Sequence, residues 1–130
     1  AAFIPELSLV AENDDGRLVG QIVLYKTDIT TPEGAVTQLL LSPISVHPDY
    51  FRRGIATAMM KEAFQIAQEL GYTAVFLCGD PQFYHRFGFR GSYEFGIYHV
   101  ADKSRCGEWC MALELKEGAL SGITGTIDIE

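Results

Sequence analysis

The chain has 130 residues, of which 48% are hydrophobic and 21% charged. That balance supports one folded domain with a real core and excludes intrinsic disorder. Ten basic against seventeen acidic residues give a net charge of −7, which excludes a generic binder of the nucleic-acid backbone, and no apolar run is long enough to span a membrane as a helix.

Phe3 follows two alanines, with neither an initiator methionine nor the regions of a signal peptide. A fragment, or a missing upstream segment, is expected. Residues 7–12 form a short apolar run closed by Asn13-Asp14-Asp15-Gly16, an Asp-Gly turn signal. Residues 17–25 are β-rich, so the pair predicts an antiparallel hairpin. Residues 27–35 read as a loop, punctuated by Pro32 and Gly34. A third strand is predicted over 36–46. Pro43 cannot donate to a ladder, so that strand should be interrupted, bulged or splayed there.

Residues 54–70 carry the clearest helical pattern. Ile55, Ala58, Met59, Ala63, Ile66, Ala67 and Leu70 share one face, and Gly71 suits the C-terminal cap. The apolar run 73–78 reads as a buried parallel strand, which completes a right-handed βαβ unit. A short helical turn is expected over 81–87, ended by Gly88. Broken β sequence follows over 89–100, then a strand over 108–116 and an edge strand over 123–129. The fold class is α/β of the α+β type, a mixed and mostly antiparallel sheet in one domain, 1–130.

Three cysteines, Cys78, Cys106 and Cys110, make no disulfide framework and point to a reducing, cytoplasmic compartment. The C-x3-C spacing of Cys106 and Cys110 near His99 lacks a recognisable four-ligand zinc pattern, so no metal is expected.

The informative segment is Val46-His47-Pro48-Asp49-Tyr50-Phe51-Arg52-Arg53-Gly54-Ile55-Ala56-Thr57. A strand ends, a loop turns and a helix begins at glycine. Arg52 and Arg53 have the wrong sign for a helix N-terminus. Their placement suits an anion bound there, with Gly54 admitting it to the backbone and Ala56 and Thr57 keeping the surface small. A solvated loop whose arginines pair with Asp49 is the alternative.

Arg52-Arg53-Gly54-Ile55-Ala56 resembles the pyrophosphate loop of the GNAT superfamily of N-acetyltransferases, whose pattern is Gln/Arg-x-x-Gly-x-Gly/Ala. Tyr84-His85-Arg86-Phe87-Gly88-Phe89 resembles that family's later helix motif. Gly79-Asp80-Pro81 ahead of the tyrosine, with Met111-Ala112-Leu113-Glu114-Leu115, is similar to a bacterial subgroup of predicted members. Phe51 departs from the pattern, occupying the Gln/Arg slot and leaving Arg52 to compensate. The family's N-terminal strand and helices, which help wall the acceptor site, are missing from this sequence.

The resemblance implies the acyl-CoA N-acyltransferase fold, with a splayed βαβ unit, and direct acetyl transfer from acetyl-CoA to a primary amine. It places pantetheine beside Ile44, Ser45 and Val46, with a Val46 amide facing the thioester oxygen, and pyrophosphate on Arg52, Arg53, Gly54, Ile55, Ala56 and Thr57. Tyr84 becomes the acid that protonates the leaving thiolate. The base is open: the strand before the loop offers Gln38, Ser42 and Ser45 but no carboxylate. Asp80 either orients the amine, directly or through water, or caps the short helix. His47, His85 and His99 have no spacing that singles one out. Cys78 is an acyl acceptor or, as a strand residue, a buried thiol. A noncatalytic acyl-CoA-binding or regulatory module, or a phosphate-binding domain unrelated to CoA, stays open, as does a homodimer.

Overall fold

A computed structural model describes residues 2–102, 104 and 107–129. Its elements in chain order are β1 (Ala2–Glu12), β2 (Leu18–Thr31), β3 (Gly34–Val46), α1 (Ile55–Glu69), β4 (Ala74–Cys78), α2 (Pro81–Tyr84), β5 (Arg90–Gly91), β6 (Ile97–His99), β7 (Cys110–Glu114) and β8 (Gly125–Ile127). Short 3-10 turns cover Pro48–Tyr50, His85–Phe87 and Ser92–Phe95. Among the described residues no helix is long and apolar enough to cross a membrane.

The strands form one sheet in the order β5-β7-β4-β3-β2-β8-β6, with β1 paired to β2. Among the described residues only β3–β4 and β6–β8 are parallel; the other pairings are antiparallel, as expected of a mixed sheet.

Two expectations need correction. Residues 27–35 are not a loop. β2 and β3 run on to a two-residue turn at Pro32-Glu33, with Thr31 opposite Gly34. Thr31 Oγ1 accepts from Glu33 N–H (3.2 Å) and donates to Gly34 O (2.7 Å), so one side chain closes the turn. The C-terminal strand is not an edge either, because β8 lies between β2 and β6.

Helix α1 forms because its apolar side chains repeat on one face. Met59, Met60, Ala63 and Ala67 are buried. They share a core with alternate residues of the three central strands: Ile22 and Leu24 from β2, Leu39 and Leu41 from β3, and Val75 and Leu77 from β4. The opposite face of the sheet buries Ala74 and Phe76 against Ile97, Ala112, Leu120 and Ile127. Both faces of β4 are therefore covered, which explains its continuous apolar run. Gly20 lets α1 approach β2 closely: a Cβ there would lie 3.0 Å from Met59 Cε and 3.2 Å from Ile55 Cγ2.

Candidate acyl-donor site

β3 and β4 pair over a short stretch and then separate. At the closed end the buried Gln38 binds β4 in three ways. Its Oε1 accepts from the amides of Thr73 (3.3 Å) and Ala74 (3.0 Å), and its Nε2 donates to Thr73 Oγ1 (2.8 Å). The parallel register runs through Leu39–Val75 and Leu40–Phe76. Among the described residues no strand pairs with β3 on that edge beyond Leu40. β4 instead follows β7, through Cys78 opposite Cys110 and Gly79 N–H to Trp109 O at 2.9 Å.

The β2–β3 register slips between Ile22–Ile44 and Leu24–Leu41, leaving one extra residue on β3 where Pro43 lies. The bulge falls where proline's missing donor predicts it. Beyond it, His47 N–H donates to Val19 O at 2.7 Å. Hydrogen-bonded and non-bonded pairs alternate in an antiparallel ladder. Ser45 therefore also turns its amide to β2, and Ile44 and Val46 turn theirs towards the open side. The Ile44 and Val46 side chains pack on the α1 face of the sheet, and Ser45 is exposed.

The loop after β3 leads into α1. Asn13 organises the preceding turn, its Oδ1 accepting from the amides of Asp15 and Arg17, both at 2.9 Å. Its Nδ2 donates to Tyr50 Oη at 2.9 Å, and Arg53 stacks its guanidinium 5.0 Å from the centre of the Tyr50 ring. His47 caps the 3-10 turn, accepting from Asp49 N–H at 3.2 Å, with the Asp49 carboxylate 3.7 Å from the same nitrogen. Among the described residues no carboxylate pairs with Arg52 or Arg53.

Arg52 takes φ 62° and Gly54 φ 77°. The Gly54 cap offers no side-chain acceptor, and the first turn of α1 has no acidic residue. The first bond of the helix is Ala58 N–H to Gly54 O at 2.9 Å. Among the described residues nothing accepts from the amides of residues 52–57. That run of free donors, two arginines and a helix N-terminus together make a strongly anion-attracting surface.

On the β4 side, Asp80 caps α2, its Oδ1 accepting from Gln82 N–H at 3.0 Å. Tyr84, at the end of α2, lies over Gly79, where a Cβ would stand 2.6 Å from Tyr84 Cε2. Its ring also meets Phe83 (4.9 Å) and Phe89 (5.8 Å) edge-on. Burial pushes the Tyr84 hydroxyl above tyrosine's ordinary pKa, so it stays protonated at neutral pH. The structure thus packs Ile44 and Val46 of β3, Ile55 of α1 and Tyr84 of α2 against one core cluster on the α1 face of the sheet.

Other candidates lie elsewhere. His99 is buried on the opposite face, its Nε2 2.7 Å from Ile129 O and its Nδ1 accepting from Ala101 N–H at 3.0 Å. His85 is exposed on the turn after α2. Cys78 is not a buried strand thiol: it is exposed, at the last position of β4, facing Cys110. Cys106, and with it the C-x3-C pair, lies outside the described residues. The contact of Tyr84 with Gly79 and the bond from Asn13 to Tyr50 join residues 5 and 37 apart, and no local pattern announces them.

The Acetyltransferase (GNAT) domain family matches residues 5–91. An N-acetyltransferase of Escherichia coli K12, YhbS, named as uncharacterized, is 31% identical over 129 residues, covering 94% of this chain and 71% of YhbS. The crystal structure of E. coli YhbS in complex with CoA superposes with a TM-score of 0.84 at 26% identity, over 95% of this chain and 66% of that one. A GNAT acetyltransferase of Brucella melitensis in complex with acetyl-CoA shares the fold, with a TM-score of 0.67 at 24% identity over 95% of this chain and 65% of that one. This chain belongs to the GNAT acetyltransferase family.

Proposed function

We propose that the chain transfers an acetyl group from acetyl-CoA directly to a primary amine. The observation that carries this reading is the run of unpartnered amides over residues 52–57, at the end of a strand that leaves its parallel neighbour. The CoA held by YhbS supports it.

Acetyl-CoA supplies an activated thioester when bound. On this reading the amides of residues 52–57, with Arg52 and Arg53, hold the pyrophosphate, and Ile44, Ser45 and Val46 line the pantetheine arm. The outward Val46 amide donates to the carbonyl oxygen and stabilises the charge that develops there. Tyr84 Oη gives its proton to the departing sulfur and is reprotonated, through solvent, by the proton that the amine nitrogen loses as the amide forms. A hydroxyl held above its usual pKa by burial keeps that proton available. Asp80 holds the short helix that carries Tyr84, and its second oxygen is left to orient the incoming amine.

The test is calorimetric titration with acetyl-CoA, CoA and ATP, followed by free-thiol release with a panel of primary amines. Preference for CoA over ATP, with amine-dependent thiol release, is the expected result. Tight CoA binding with no release from any amine would overturn catalysis and leave a binding module.

A further inference from the structure

We infer that Cys78 and Cys110 form an oxidisable dithiol, closed to a cross-strand disulfide by a low-molecular-weight disulfide such as oxidised glutathione.

The two residues face each other across the β4–β7 ladder. Their neighbours Gly79 and Trp109 are joined by a hydrogen bond of 2.9 Å. Because pairing alternates, Cys78 and Cys110 occupy a non-hydrogen-bonded position, where opposed Cα atoms are about 4.5 Å apart and side chains are closest. That spacing falls within the roughly 4.4–6.8 Å that a disulfide spans, so closure requires little backbone movement. The pair lies on the opposite sheet face from Tyr84: β4 alternates, and Cys110 packs with Ala74 and Phe76.

The two thiols differ in access. Cys78 is exposed and Cys110 is 1% exposed. The Cys78 thiol beside it brings Cys110 down to about 7 against the opposing effect of burial, with Ser92 adding to the shift. Cys110, and then burial, pushes the Cys78 thiol up. Cys110 therefore gives up the pair's first proton. It carries thiolate near neutral pH, the form that attacks disulfides.

The chemistry proceeds in two exchanges. The buried Cys110 thiolate takes the proton of Cys78, and the exposed Cys78 Sγ attacks one sulfur of glutathione disulfide. That S–S bond breaks, one glutathione thiolate leaves, and a mixed disulfide forms on Cys78. Cys110 Sγ, once deprotonated, attacks the Cys78 sulfur; the mixed bond breaks and the second glutathione thiolate leaves. The protein loses two electrons and two protons, and glutathione disulfide gains both to become two thiols.

The experiment treats the full chain with oxidised glutathione and maps the product by mass spectrometry after combined trypsin and Glu-C digestion. Cleavage after Glu108 separates Cys106 from Cys110. The expected product links the Cys78 peptide to the Cys110 peptide, with the loss of two hydrogens and full reversal by dithiothreitol. Cys106→Ser leaves that link unchanged, and Cys110→Ser accumulates the mixed disulfide on Cys78. The wild-type map decides the matter even if a variant folds poorly. A stable mixed disulfide on wild-type Cys78, a link to Cys106, or two unreacted thiols would overturn the inference.

Discussion

Adding one methyl group at Gly79 should disable Tyr84 while leaving the donor site and the fold in place. An alanine Cβ would sit 2.6 Å from Tyr84 Cε2, 3.2 Å from Cδ2 and 3.5 Å from Leu77 Cδ1. Carbon atoms rest about 3.5–4.0 Å apart, so the ring must retreat by about 1 Å. Gly79 has no positive φ, so alanine adds no backbone strain. Overpacking of this kind costs about 1–3 kcal/mol, less than the roughly 5–15 kcal/mol that stabilises a typical domain. A catalytic group misplaced by about 1 Å can lose about 10²-fold in rate. Gly79→Ala should therefore lower kcat about 10²-fold in the thiol-release assay, run with the best acceptor from an amine panel. Affinity for CoA, read by calorimetry, should stay within a few-fold. In a Tyr84→Phe background the hydroxyl is already gone, so the same substitution should cost little more. Full turnover of the single variant, or an equal loss in both backgrounds, would refute the idea that Gly79 acts by seating Tyr84.

Tyr84→Phe should itself lower kcat by about 10²–10⁴-fold with the Michaelis constant for acetyl-CoA nearly unchanged. Because burial raises the hydroxyl's pKa, the wild-type acid form persists past tyrosine's usual value of about 10; the rate falls only as pH rises through the shifted value, and the variant's pH–rate profile should lack that limb. Gly54→Val places a branched residue at φ 77°, so chemical denaturation should show a loss of about 1–2 kcal/mol or more, and calorimetry should show CoA affinity reduced by about tenfold or more, equivalent to at least ~1.4 kcal/mol. Gln38→Ala removes the acceptor for the amides of Thr73 and Ala74, which should cost about 1–3 kcal/mol in the same denaturation experiment.

What the sequence disclosed was local. The three-and-four spacing of Ile55, Met59, Ala63 and Ala67 defined α1 to within a residue at each end. The run ending at Cys78 defined β4, and Pro43 marked the bulge. Pro32 and Gly34 misled, because punctuation that suits a loop suits a two-residue hairpin turn equally well; the β-branched residues Ile29, Thr30 and Thr31 carry the strand up to it. β8 gave no sign of its position, since strand order is set by pairing with distant segments. In the site, the glycine and arginines at the head of α1 were legible because helix termini have a fixed electrostatic character. The packing of Tyr84 on Gly79 and the Asn13–Tyr50 bond were not, because each depends on tertiary approach. The exposure of Cys78 was hidden for a related reason: an apolar run shows that a strand is buried, but not where its cover ends.

The most direct test of direct acetyl transfer is mass spectrometry of both protein and amine after incubation with acetyl-CoA. With an accepting primary amine present, direct transfer predicts an acetylated amine, an equal amount of free CoA and an unmodified protein. With no amine present, it predicts no acetyl group on the chain. An acetylated protein that passes its group to the amine would contradict direct transfer, and bound acetyl-CoA with no acetylated product from any amine would contradict the proposed activity.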